Sequence, residues 1–94
     1  MNLDNLRIEI DKVDSELIRL LSKRFEYTQL VGEFKAENGI RSLSKSRESE
    51  QFERFQRLSE ELALPYELVE KIFKIIRDQV LSNHERIKKE YEPK

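Results

Sequence analysis

From Leu3 to Phe34 the chain sets Leu3, Leu6, Ile10, Val13, Leu17, Leu20, Tyr27, Val31 and Phe34 at alternating steps of three and four, and Arg24 is the one position that breaks this apolar seam. The spacing predicts a single helix of roughly 33 residues, about 50 Å long at about 1.5 Å per residue. Inside it Gly32 alone resists helix formation. Asn38-Gly39 predicts a stop of the left-handed cap kind, and Ile40 to Lys45 a short connection. Ser44 or Ser46 then caps a second helix, with Glu48 and Glu50 in its first turn complementing the helix dipole. That helix runs to about Leu62 and carries a thin apolar stripe of Phe52, Phe55 and Leu58. Pro65 suits the first turn of a third helix that reaches about Lys89, acidic early at Glu67 and Glu70 and basic late at Arg86, Lys88 and Lys89. Its buried face is drawn from Leu68, Val69, Ile72, Phe73, Ile75, Ile76, Val80 and Ile87, and the tail from Glu90 to Lys94 is expected to fray.

The fold class that follows is all-α, with one long N-terminal helix, one short and one medium, in one domain over residues 1–94. A rod of that length is too long for a globule of this mass. It must lie against a partner over much of its length, and a second copy of the chain is the simplest candidate, so the expected assembly is a homodimeric helical bundle.

Composition narrows the chemistry. Charged residues reach 39% yet nearly cancel to a formal net charge of -1, which lacks the surplus of Lys and Arg that a nucleic-acid binder needs. With no cysteine and one histidine, the chain offers no disulfide framework and no thiolate metal site, so no metal is expected. No apolar run approaches the ~20 residues that span a bilayer, and the start lacks a signal-peptide pattern. A soluble, cytoplasmic protein without membrane partners is the expectation.

Arg24 is the sharpest anomaly, because a guanidinium at a seam position must find anions or bear a desolvation cost. One reading makes it an anion-binding group; the other gives it an ion pair with Asp14 or Glu48, or lets it snorkel to solvent. Lys35 lies eleven residues further on, close to three turns and about 16 Å away on nearly the same face. The two cations can close on a small dianion, unless Lys35 merely complements the helix end. Arg7 lies 28 residues before Lys35, about 42 Å away in the same helix. It can share a pocket with Lys35 only if it comes from the other subunit of an antiparallel pair; otherwise it is an ordinary surface arginine. Arg47-Glu48 by itself reads as an exposed ion pair.

Taken in order, Leu6-Arg7, Ile10-Asp11, Val13-Asp14, Leu20-Leu21, Lys23-Arg24, Val31-Gly32, Phe34-Lys35, Asn38-Gly39-Ile40, Arg47-Glu48, Leu68-Val69-Glu70 and Ile72-Phe73 resemble the all-helical chorismate mutases over nearly the whole chain. The resemblance implies an intertwined homodimer that rearranges chorismate to prephenate without a cofactor, a metal or a covalent intermediate. The enzyme of such a reaction holds its substrate folded and stabilises charge as one bond breaks and another forms. By this resemblance Arg24 and the partner subunit's Arg7 bind the two carboxylates, as guanidinium forks suit them, with Arg47 in support. Lys35 hydrogen-bonds the ether oxygen, and Glu48 accepts from the ring hydroxyl.

Three departures accompany the likeness. The family usually has Asp three residues before the Arg of Arg-Glu, where this chain has Ser44, which can still donate or accept near the hydroxyl. The family's third helix often offers Ser, then Gln or Glu four residues later, to grip the ether oxygen. Counted without a gap these positions are Val80 and His84; a one-residue gap makes them Gln79 and Asn83. The ungapped register keeps Val69, Ile72, Phe73, Ile76 and Val80 on one apolar face and is favoured. His84 then reads either as a donor to the ether oxygen or as a surface residue near a helix end. Alternatives on the same scaffold are a lyase that eliminates pyruvate from isochorismate and a mutase of amino-substituted chorismate. A different class is a non-catalytic helical regulatory or interaction module.

Overall fold

The computed structural model describes residues 2–41 and 43–92. Three helices follow in order: α1 over Leu3–Glu37, α2 over Lys45–Glu61 and α3 over Tyr66–Glu90. Local chemistry sets each end. The Asn2 side chain caps α1 by accepting from the Asn5 amide at 2.8 Å. At its other end Gly39 takes φ 63°, and the Ile40 amide reaches back to the Lys35 carbonyl at 2.8 Å, the six-to-one bond of a Schellman stop. Ser44, not Ser46, caps α2, its hydroxyl accepting from the Arg47 amide at 3.4 Å. Pro65 stands just outside α3 in an extended conformation, one position earlier than expected. Part of the expected fraying is replaced by a tether: the Tyr91 hydroxyl donates to Glu37 at 3.4 Å. Pro93 and Lys94, the rest of that tail, and Ser42 in the first connection lie outside the described residues.

The stop after α2 repeats the Schellman geometry with the wrong residue. The Leu64 amide donates to the Ser59 carbonyl at 2.9 Å, and the left-handed position falls on Ala63, at φ 54°. A side chain there costs about 1–2 kcal/mol that glycine would not bear, less glycine's greater loss of freedom on folding. Ala63→Gly is therefore expected to stabilise by about 0.5–1 kcal/mol, raising the thermal midpoint by a few degrees. A midpoint that falls would show that the strain is relieved elsewhere.

α3 packs on both other helices. Pairs along its length rise with α1, from Arg24 at Phe73 through Thr28 at His84 to Glu37 at Tyr91, so those two helices run parallel. Against α2 the order reverses, Glu48 meeting Arg77 and Phe55 meeting Phe73. The small core consists of Phe55, Ile76 and Ile87, with Phe55 stacked on Phe73 at 3.9 Å and met edge-on by Phe52 at 5.9 Å. Ser59, also buried, turns its hydroxyl back to the Phe55 carbonyl at 2.7 Å.

The face of α1 that α3 covers is not the apolar seam. It is the line Leu21, Phe25, Thr28, Gly32 and Ala36, mostly smaller side chains that let the helices approach closely. At Gly32 the approach is closest: a Cβ there would stand 2.6 Å from the His84 ring and 2.9 Å from Ile87 Cδ1. The seam itself stays open. Every residue from Asn2 to Leu20 is exposed, including Val13 at 60% and Leu20 at 63%. On α3, Leu68, Ile72 and Ile75 are also exposed, so only part of the expected buried face is covered within one chain. The outline is accordingly a rod of 61 × 26 × 15 Å with a radius of gyration of 17.0 Å. A compact chain of this length would have about 12 Å.

Candidate active site

Where the C-terminal half of α1, the start of α2 and the middle of α3 converge, they enclose a recess of about 360 Å³. This falls within the size range of small-molecule sites, about 300–1,000 Å³. Its walls include Arg24, Lys35, Ser44, Arg47, Glu48, Val80 and His84, so seven of the eight positions singled out in the sequence line one cavity. Arg7 does not. It sits on the uncovered half of α1, about 25 Å along the helix from Arg24 at about 1.5 Å per residue.

Arg24 is half-buried and pairs with no carboxylate among the described residues. Its Nη1 is buried without a hydrogen-bond partner, and its guanidinium lies 5.7 Å from the centre of the Phe73 ring. Burial, and then the nearby Arg47 and Arg54, push its proton affinity below the ordinary arginine value. The ion pair with Glu48 that would have made Arg24 an ordinary structural residue is not formed, because Glu48 is bound to Arg77 instead.

Arg77 is the site residue that the sequence reading missed. It faces the recess from α3, pairs with Glu48, and reaches Asp78 at 3.3 Å through its other terminal nitrogen. The hydrogen bond to Glu48 raises its proton affinity against the opposing effect of burial. A signal was present: Arg77 follows Phe73 by four and precedes Val80 by three and His84 by seven, a cation inside an apolar helical stripe just as Arg24 is. Arg54, packed over the Phe55 ring at 5.4 Å, is a second cation of the recess that the sequence reading passed over.

The two registers considered for α3 part company here. Val80 and His84 line the recess, whereas Gln79 is exposed and donates to Asn83 at 2.9 Å. His84 is not a surface residue. It is 4% exposed, wedged against Gly32, with Nε2 at 2.8 Å from the Thr28 carbonyl. A carbonyl only accepts, so Nε2 carries the hydrogen, and Nδ1 is left buried without a partner. Ser44 spends one lone pair on the α2 cap, and its hydroxyl lies 3.4 Å from that of Ser46, either of which can donate to the other.

Counting the walls settles the electrostatics. Among the described residues of the walls, Arg24, Lys35, Arg47, Arg54 and Arg77 stand against a single carboxylate, Glu48, five cations to one anion in a chain whose formal net charge is -1. Partly dehydrated walls raise the potential of such a group further. An all-helical protein with its cations gathered in this way has the chemistry to hold a small polyanion. The family model for chorismate mutase type II matches residues 6–85, and the chain belongs to that family.

Individual relatives agree. The chain is 35% identical over 92 residues to a bifunctional chorismate mutase/prephenate dehydratase of Aquifex aeolicus, covering 95% of this chain and 25% of that protein. It is 32% identical over 85 residues to the T-protein of Enterobacter agglomerans, with 89% and 23% covered. To the intracellular chorismate mutase of Mycobacterium tuberculosis it is 36% identical over 56 residues, with 60% and 53% covered. It thus spans about a quarter of the length of the first two and about half of the third.

Proposed function

We propose that this chain is a chorismate mutase, rearranging chorismate to prephenate as a homodimer. The observation that carries the reading is the recess of five cations and one carboxylate among its described lining residues. Carboxylates of a substrate suit such a recess, because guanidinium groups bind them through charge-assisted hydrogen bonds. The reaction is intramolecular. One carbon–oxygen bond breaks, one carbon–carbon bond forms, and no proton or electron leaves, so the residues need only fold the substrate and stabilise its shifting charge.

In this scheme Arg24 holds one carboxylate and the partner subunit's Arg7 the other, with Arg47 supporting at the mouth. Lys35 donates to the ether oxygen, where negative charge grows. Glu48, steadied by Arg77, accepts from the ring hydroxyl, with Ser44 beside it, and Val80 packs against the carbon skeleton. The exposed seam of α1 supports the dimer: two rods in opposite senses would cover each other's apolar positions and carry each Arg7 to the far recess. Among the described residues no helix is long and apolar enough to cross a membrane. That the Mycobacterium tuberculosis relative is named intracellular supports a cytoplasmic placement here.

His84 enters through Nδ1. Because Nε2–H is committed to Thr28, Nδ1 donates to the ether oxygen only in the doubly protonated ring. Turnover in His84→Ala is therefore expected to fall below wild type, and unchanged turnover removes His84 from the reaction.

The functional test offers chorismate and isochorismate in separate incubations and identifies the products. Prephenate from the first is expected; pyruvate from the second would move the chain to the lyase reading. A dianionic oxabicyclic mimic of the transition state, titrated by calorimetry, should bind tightly. No binding and no turnover would leave a non-catalytic helical module.

A further inference from the structure

The ion pair between Glu48 and Arg77 has a consequence for which substrates the recess accepts. Among the described residues Glu48 is the sole carboxylate of its walls, and Ser44, at the cap of α2, is neutral. An unpaired carboxylate facing a ligand's ring substituent would favour a cationic ammonium over a hydroxyl, since a charge-assisted hydrogen bond is the stronger. Here that negative charge is already met. Arg77 spans from α3 to Glu48, is itself about a third exposed, and its Nε is buried without a partner. An ammonium brought to Glu48 would sit beside Arg77 with Arg24 and Arg47 in the same recess, and like charges at short range in partly dehydrated surroundings repel strongly. A hydroxyl meets no such penalty and still finds the lone pairs of Glu48 that Arg77 leaves free.

We propose that Arg77 is a specificity-determining residue: by holding and neutralising Glu48 it makes the recess select a hydroxyl-bearing substrate over the same skeleton carrying an amino group. This rests on the functional reading above. Arg77 acts through Glu48 and is a positioning residue, not one that touches the reacting atoms. Asp78, its second partner, is 70% exposed on the outer surface and too well solvated to offset the charge inside.

The test uses two unreactive ligands, the oxabicyclic mimic with its hydroxyl and the same mimic with an amino group in that place, titrated into wild type, Arg77→Met, Arg77→Gln and Arg77→Lys. Thermal melts confirm that each variant folds. Wild type is expected to bind the hydroxyl ligand at least about tenfold more tightly. Both neutral variants should shrink that preference at least about tenfold, Gln included, because it keeps a donor for Glu48 and loses only the charge. Lys should restore most of it. A purely structural role, tying α2 to α3, would weaken both ligands alike and leave their ratio unchanged, and that result overturns the proposal. Wild type failing to bind the hydroxyl ligand at all would instead remove the functional reading, and this inference with it. Normal wild-type binding with an unmoved ratio in the neutral variants removes the inference alone.

Discussion

Replacing Lys35 by alanine is expected to lower turnover at least about a hundredfold while leaving the helices and the assembly in place, the loss typical of one donor aimed at a developing negative charge. Lys35 belongs to the last turn of α1 and lines the recess. At that position a lysine also complements the helix dipole, by about 0.3–1 kcal/mol. Initial rates on chorismate, beside circular dichroism and sedimentation of the same sample, distinguish a chemical loss from a folding one. If Lys35→Ala turns over normally, the ether oxygen is stabilised by something else.

A second large effect tests the dimer and the site together. Arg7→Ala and Arg24→Ala are each expected to be nearly inactive, because every recess loses one carboxylate clamp. Mixed, unfolded and refolded in equal amounts, the two dead proteins should recover about a quarter of wild-type activity. Half of the dimers formed are hybrids, and in a hybrid one of the two recesses combines an intact Arg24 with the partner subunit's Arg7. Recovery cannot come from a site built within one chain, since Arg7 and Arg24 lie about 25 Å apart on one helix. A mixture that stays inactive although hybrids form would place Arg7 outside the chemistry.

Much of this molecule was legible before any coordinates. α1 stops at Asn38-Gly39, α2 starts after Ser44, one of the two caps the sequence offered, and α3 starts just past Pro65, because capping chemistry is local and a few residues decide it. The seam of α1 was read as a face for a second copy to cover, and among the described residues of one chain it stands exposed. What could not be read was which face of α1 would meet α3. Thr28, Gly32 and Ala36 carry little hydrophobic signal, and their importance lies in being small enough for His84 and Ile87 to fit against them. Ala63 in a left-handed conformation was invisible for a related reason: the position is dictated by where α2 must stop, not by the residue that stands there.

The recess was legible in proportion to how unusual each residue was along its own helix. Arg24 interrupts a long apolar run and was found, and Lys35 followed from its eleven-residue spacing to Arg24; Arg47-Glu48 became meaningful only in the ordered set that resembles the family. Arg77 interrupts a run just as clearly, but the family pattern offered no reason to look there, and the pattern drew attention to Val80 and His84 instead. His84 lines the recess, and its burial and its bond to the Thr28 carbonyl depend on a close helix crossing that no single-helix pattern reports.

The uncovered first half of α1 has one more implication. On the proposed pairing, the free energy that keeps this rod helical is held jointly by two chains, so a melting temperature quoted for the protein is incomplete without the amount of protein in the tube. Dilution would then act as a denaturant, loosening the far ends of the rods and with them the distant arginine on which each recess depends.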